Sequence, residues 1–244
     1  MSTRDTGGTG TEDTGTRGMG ERGPGESLLE TRTRIPDGAG EGTAVVILMH
    51  GRGADPTDLL PLGDAFPDDL AVVFPRAPHA GAPWGYGPGW AWYRYEGGDR
   101  PEPESFRLAQ YALDSLVARL PDILGFRPGP VVPGGFSQGG TMANAYALRH
   151  PGAVPAVLNF SGFVASHPDI EVSAAAVADT AFWWGHGTHD PAVPFQLARR
   201  GRAVLREAGA DLEARDYPMG HGIIPEELDD AVAWLRSVLG RPGR

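Results

Sequence analysis

From residue 28 onward, short apolar runs alternate with helix-length amphipathic segments, and few folds accommodate that alternation. Strands buried on both faces read as unbroken apolar stretches, and the helices crossing between them cover those faces. The pattern therefore specifies an α/β chain with a mostly parallel central sheet and helices on both sides. Strands are predicted at 27–35, 43–50, 70–74, 130–134, 153–160, 180–185 and 212–217, and helices at 56–65, 104–120, 138–150, 196–208 and 225–239. In the last helix Leu228, Val232, Leu235 and Leu239 share one face, which a sheet can bury. The turn formers Pro36-Asp37-Gly38-Ala39-Gly40 predict that the first two strands pair as a hairpin.

A chain of 244 residues suits one large core, and residues 28–244 are expected to form it. Residues 1–27 hold no aliphatic or aromatic side chain apart from Met1 and Met19, so they are expected to be a disordered tail. That segment lacks a basic start followed by an apolar run, and no stretch reaches the roughly 18 apolar residues of a membrane span. A soluble, cytoplasmic protein is expected. The absence of cysteine excludes disulfides, thiolate metal sites and a cysteine nucleophile. The formal charge is -10 and all 21 basic residues are Arg, a balance that repels phosphate backbones and argues against a nucleic-acid partner. Oligomeric state is not encoded in any motif.

The decisive chemical signal is Gly135-Phe136-Ser137-Gln138-Gly139, set between a predicted strand and an Ala-rich helix. In that context a Gly-x-Ser-x-Gly run makes a tight turn that lifts the serine hydroxyl above the sheet, and a side chain at either glycine would clash. A serine hydroxyl needs a base, and the base needs an orienting acceptor. Asp190, on the loop after one strand, and His221, on a Gly-flanked loop after the next, follow Ser137 at intervals of 53 and 31 residues. Ser, Asp, His is the chain order of an α/β-hydrolase. The Gly-rich turn His50-Gly51-Arg52-Gly53 can present one backbone N–H to a developing oxyanion, and Gln138 can present a second. His186, His189 and Asp190 also read as a small metal cluster, but no second cluster supplies the missing ligands. His79, His150 and His167 sit near helix ends and turns, where surface or capping roles are expected.

The runs Met49-His50-Gly51-Arg52-Gly53, Phe74-Pro75-Arg76-Ala77-Pro78, Gly135-Phe136-Ser137-Gln138-Gly139-Gly140, Ser161-Gly162, His186-Gly187-Thr188-His189-Asp190-Pro191-Ala192-Val193-Pro194 and Gly220-His221-Gly222 resemble the phospholipase/carboxylesterase family. That family includes bacterial carboxylesterases and acyl-protein thioesterases. The resemblance implies an α/β-hydrolase fold, a triad of Ser137, Asp190 and His221, an oxyanion hole from the N–H groups of Arg52 and Gln138, and no cofactor or metal. Arg52 stands where many relatives carry an apolar residue.

The function expected is therefore serine carboxylesterase or thioesterase activity through an acyl-enzyme, on a small-molecule ester or thioester. The competing reading, a non-catalytic binding module on the same fold, leaves the triad and both oxyanion turns without a purpose. Between 75 and 103 lie Trp84, Tyr86, Trp90, Trp92, Tyr93 and Tyr95 among many Gly and Pro residues. So many rings in an irregular connection predict an ordered loop over a pocket. Trp92 foremost, with Trp90 and Tyr93, is expected to line the substrate site; packing of the loop onto the domain is the alternative.

Overall fold

A computed structural model describes residues 29–241; the expected tail at 1–27 lies outside the described residues. In chain order the elements are β1 (Thr31–Arg34), β2 (Ala44–Met49), a 3-10 helix (Leu60–Ala65), β3 (Leu70–Pro75), β4 (His79–Ala80), a 3-10 turn (Ala82–Trp84), β5 (Trp90–Ala91), β6 (Tyr95–Gly97), β7 (Arg100–Pro101), α1 (Pro103–Ala118), α2 (Leu120–Leu124), β8 (Val131–Phe136), α3 (Gln138–Arg149), β9 (Ala156–Phe160), α4 (Ala174–Val177), β10 (Ala181–Gly187), α5 (Phe195–Glu207), β11 (Asp211–Tyr217) and α6 (Pro225–Leu239). Seven strands form one sheet in the order β1-β3-β2-β8-β9-β10-β11. Every neighbouring pair is parallel except β1 with β3.

The alternation of side chains along each strand divides the core between the two faces. From β2, Val45, Ile47 and Met49 join Phe106 and Leu113 of α1, Met142 of α3 and Leu205 of α5. Val46 and Leu48 point the other way, to Leu228 and Leu235 of α6 and to Leu59 and Phe66 around the first 3-10 helix. The neighbours Trp183 and Trp184 on β10 divide in the same way.

Two expectations are corrected. The predicted hairpin between the first strands does not form: β1 pairs antiparallel with β3, Thr31 opposite Pro75 and Arg34 opposite Val72, while β2 lies between β3 and β8. A turn-rich connection allows the chain to reverse without fixing its partner. The apolar run of β2 is buried almost throughout and belongs inside the sheet, whereas the half-exposed Thr-Arg-Thr-Arg of β1 suits an edge. The helix predicted at 56–65 is only a 3-10 helix over Leu60–Ala65. Pro61 would sit inside a longer α-helix, where it removes a hydrogen bond and clashes with the preceding turn.

Glu227, in the first turn of α6, is fully buried and faces Gly185 of β10. Burial pushes its carboxyl up to about 8, against the opposing pull of the Ile224 backbone and the Arg202 charge. Among the described residues no helix is long and apolar enough to cross a membrane.

Candidate active site

Ser137 sits between β8 and α3 with φ 57° and ψ -114°. This is an unfavourable conformation for a residue with a side chain, costing on the order of 1–3 kcal/mol unless its surroundings enforce it. They do: the Ser137 N–H donates to the Phe160 carbonyl at 2.8 Å, and the Ser137 carbonyl accepts from the Thr141 N–H at 3.0 Å and its hydroxyl at 3.2 Å. A side chain at Gly139 would overlap the Met49 carbonyl, and one at Gly135 would meet the Gly139 backbone, so the flanking glycines are required by close approach.

Asp190 and His221 come from the loops after β10 and β11, at the same sheet edge as Ser137. The two loops are stitched together by Thr188 N–H to Tyr217 O, 2.8 Å, and His189 N–H to Met219 O, 3.0 Å. Gly187 lies so close to the Met219 and Gly220 carbonyls that a Cβ there would collide with them. The Asp190 carboxylate is completely buried; its Oδ1 accepts the Ala192 and Val193 N–H groups, each at 2.8 Å, and its Oδ2 lies 2.6 Å from His221 Nδ1. An ionised carboxylate only accepts, so Nδ1 carries the proton and Nε2 keeps its lone pair. The His221 ring packs on Phe136, 4.6 Å between centroids.

His186 is buried, its Nε2 donates to the Val193 carbonyl at 2.9 Å, and burial holds its pKa below the ordinary histidine value. Among the described residues no three His, Asp or Glu side chains are arranged to hold a metal ion. His167, expected at a surface or cap, is buried and ties its own loop to the start of α1: Nε2 lies 3.1 Å from the Pro103 carbonyl, and Nδ1 accepts the Asp169 N–H at 3.0 Å.

The turn after β2 is held on both sides. His50 Nε2 accepts the Ala77 N–H at 3.0 Å, so Nδ1 carries the proton and donates to Gly51 O at 2.7 Å. Gly53 N–H donates to Trp90 O and Ala54 N–H to Gly51 O, while the Arg52 N–H just before them has no backbone acceptor among the described residues. The Gln138 N–H, first in α3, has no intrahelical acceptor either.

The segment expected to supply the pocket wall is ordered but behaves differently. It folds into two small two-stranded sheets, β4 with β5 and β6 with β7. Trp92 is fully buried and does not line the cavity; its indole N–H donates to the His50 carbonyl at 2.9 Å, and its backbone N–H to Gln138 Oε1 at 3.0 Å. The Gln138 amide closes the clasp with a 2.9 Å bond to the Tyr93 carbonyl. Trp90 is also outside the lining: it packs against the core with the Arg76 guanidinium 4.0 Å from its ring centre. An indole has one polar atom, and the partner that the polar atom of Trp92 finds among the described residues lies inward. Tyr93 does line the cavity, with Ser137, Gln138, His221, Arg52 and Tyr95 among its neighbours. The cavity measures about 180 Å³ and also takes in Phe163 and Val193, for which the sequence alone predicts no wall position. Phe163 directly follows Ser161-Gly162, and Val193 lies within the run His186–Pro194. Beside it, Asp58, Leu59, Leu62 and Ile223 line a groove of about 240 Å³ that shares Phe136 and His221 with the cavity.

The family model described as phospholipase/carboxylesterase matches residues 31–239. The acyl-protein thioesterase 1 of Gibberella zeae is 29% identical over 219 residues, covering 82% of this chain and 93% of that protein. Its counterpart in Cryptococcus neoformans is 26% identical over 223 residues, 81% of this chain and 93% of that one. Among solved structures, esterase PE8 superposes with a TM-score of 0.72 at 30% identity, covering 86% of this chain and 99% of that chain. The Bacillus cereus carboxylesterase shares the fold, with a TM-score of 0.73 at 17% identity over 88% of this chain and 97% of that chain.

Proposed function

Because this chain belongs to the phospholipase/carboxylesterase family and is a hydrolase of carboxylic esters or thioesters, we propose that it works through an acyl-enzyme on Ser137, with His221 as base and Asp190 as the acid that orients it. The observation that carries this reading is the 2.6 Å bond from His221 to a buried Asp190, with the imidazole and Ser137 lining one cavity. Ser137 Oγ attacks the acyl carbonyl and His221 Nε2 takes its proton. The carbonyl oxygen becomes an oxyanion, which the N–H groups of Arg52 and Gln138 stabilise; one such donor is worth about a hundredfold to a thousandfold in rate. Collapse expels the alcohol or thiol, which receives the proton from His221. Water, deprotonated by the same imidazole, then releases the acid and restores Ser137.

A small-molecule ester or thioester is the substrate favoured by a cavity walled by Tyr93, Tyr95, Phe163 and Val193. The test is hydrolysis of p-nitrophenyl esters of increasing acyl length by wild type, Ser137→Ala and Asp190→Asn. Loss of about three orders of magnitude or more is expected for the first, and a loss of about 10³ to 10⁴ in kcat for the second, whose amide favours the wrong histidine tautomer. Near-wild-type turnover in Ser137→Ala overturns the proposal.

A further inference from the structure

We propose that Arg52 makes this a site for esters or thioesters that carry an anionic group, a carboxylate or a phosphate, within a few bonds of the scissile carbonyl. The inference rests on the hydrolase reading above and names the substrate class of the same site.

Arg52 serves the cavity twice. Its backbone lies in the turn assigned to the oxyanion, and its side chain is exposed at the cavity, with the guanidinium 4.8 Å from the centre of the Tyr86 ring. That ring is itself pinned to the cavity wall, because the Tyr86 hydroxyl accepts the Tyr95 N–H at 2.8 Å and Tyr95 lines the cavity. Stacking therefore holds the cation beside the cavity instead of leaving it to sweep through solvent. A guanidinium lying on a ring still presents the N–H donors around its edge, in a fork that fits a carboxylate or phosphate.

Those donors are not consumed internally. Among the described residues Arg52 pairs with no carboxylate, whereas Arg76, Arg107, Arg149 and Arg200 all do. Its charge is also felt within the wall: burial raises the Tyr95 phenol above its ordinary value, and the Arg52 cation offsets part of that rise. The other ionisable groups facing the cavity are His221, Tyr93 and Asp58. Asp58 stands where the cavity runs into the groove of Leu59, Leu62 and Ile223, and it is not ion-paired with Arg52. The entrance is therefore polarised, with a cation on the Tyr95 side and a carboxylate on the groove side. The chain as a whole carries a charge of -10 and repels anions at long range, so attraction by Arg52 is a local selection and not a field effect. Since one residue supplies both the oxyanion N–H and the cation, the reach of a single arginine side chain sets the distance between the scissile carbonyl and the anionic group.

The test compares near-isosteric substrates that differ in charge. Monoethyl glutarate is set against ethyl pentanoate, with the charge on the acyl side, and 3-acetoxypropionate against propyl acetate, with the charge on the leaving group. The readout is the ratio of kcat/KM, anionic over neutral, in wild type, Arg52→Gln and Arg52→Lys. A ratio that falls about tenfold in Arg52→Gln for at least one pair, recovers in part with Lys, and shrinks with added salt in wild type is expected. The affected pair tells which side of the ester carries the charge. An unchanged ratio for both pairs overturns the proposal, while hydrolysis of the neutral esters would leave the hydrolase reading intact. Calorimetry with glutarate and with the uncharged glutaramide needs no turnover and separates the two failures. Glutarate binding about tenfold weaker in Arg52→Gln, with glutaramide unaffected, supports the anion site even if no ester is cleaved; equal glutarate binding in both proteins rejects it.

Discussion

Replacing Trp92 with Phe tests whether the aromatic segment is a brace or a pocket wall. The substitution keeps a ring in the core, deletes the indole N–H and leaves the His50 carbonyl without its 2.9 Å donor. That carbonyl is buried with its residue, and an orphaned buried acceptor costs about 1–3 kcal/mol. The smaller ring also leaves a void, because Trp92 has no exposed surface; a partial truncation adds about 1 kcal/mol, well short of the roughly 3–5 kcal/mol of a complete Trp→Ala change. The sum is about 2–4 kcal/mol. For a domain of this size each kcal/mol lowers Tm by about 2–4 °C, so a fall of roughly 4–16 °C is expected in calorimetry. Since the His50 carbonyl belongs to the turn whose Arg52 N–H is proposed as an oxyanion donor, kcat should fall as well, while the order of preference among acyl chain lengths stays as in wild type. An unchanged Tm with a shifted chain-length profile would refute this account and return Trp92 to the wall.

Glu227 gives the chain a pH-dependent stability. Its folded pKa, raised to about 8, stands above its ordinary value in the unfolded chain, so folding takes up a proton and stability declines as pH rises through that window, by at most about 1.4 kcal/mol per pH unit. Urea unfolding at pH 5 and pH 8 should show wild type losing about 3 kcal/mol more than Glu227→Gln between those values; parallel profiles would place the titration elsewhere. Gly187→Ala should push against the Met219 and Gly220 carbonyls and displace His221. A displacement of that kind costs about a hundredfold in kcat with little change in KM, and unaltered steady-state kinetics would show that the two loops yield without moving the imidazole.

Much of this arrangement is legible in the residues alone. Unbroken apolar runs such as Ala44–Met49 and Leu70–Pro75 read as buried strands, and Ser137 and Asp190 come after strands buried in the same way, whereas His221 comes after the largely polar edge strand Asp211–Tyr217 and is marked by its flanking glycines instead. The partner of β1 was not legible, since a flexible turn fixes only that the chain reverses, and pairing is decided by which edge remains open once β2 is enclosed. The direction of Trp92 was equally hidden. A tryptophan in an irregular segment can face a cavity or the core, and here the choice is made by two acceptors, the His50 carbonyl and Gln138 Oε1, that are 42 and 46 positions away in sequence. Tyr95 and Phe163 enter the wall for a similar reason: Tyr95 follows the clasped pair, and Phe163 follows Ser161, whose N–H is bonded to Gly185 O at 3.0 Å.

The clasp between Gln138 and the backbone of Trp92 and Tyr93 divides labour within the site. With the Trp92 indole bond to His50 it works as a splint fastened to the two turns proposed to present oxyanion donors, and none of these three bonds involves the side chains of Tyr95, Phe163 or Val193. Changes at those positions can resize the chamber while the splint stays set. On the proposed reading, the range of substrates can then drift or be engineered independently of the rate-giving framework, and a library restricted to Tyr95, Phe163 and Val193 would sample scope without sacrificing turnover.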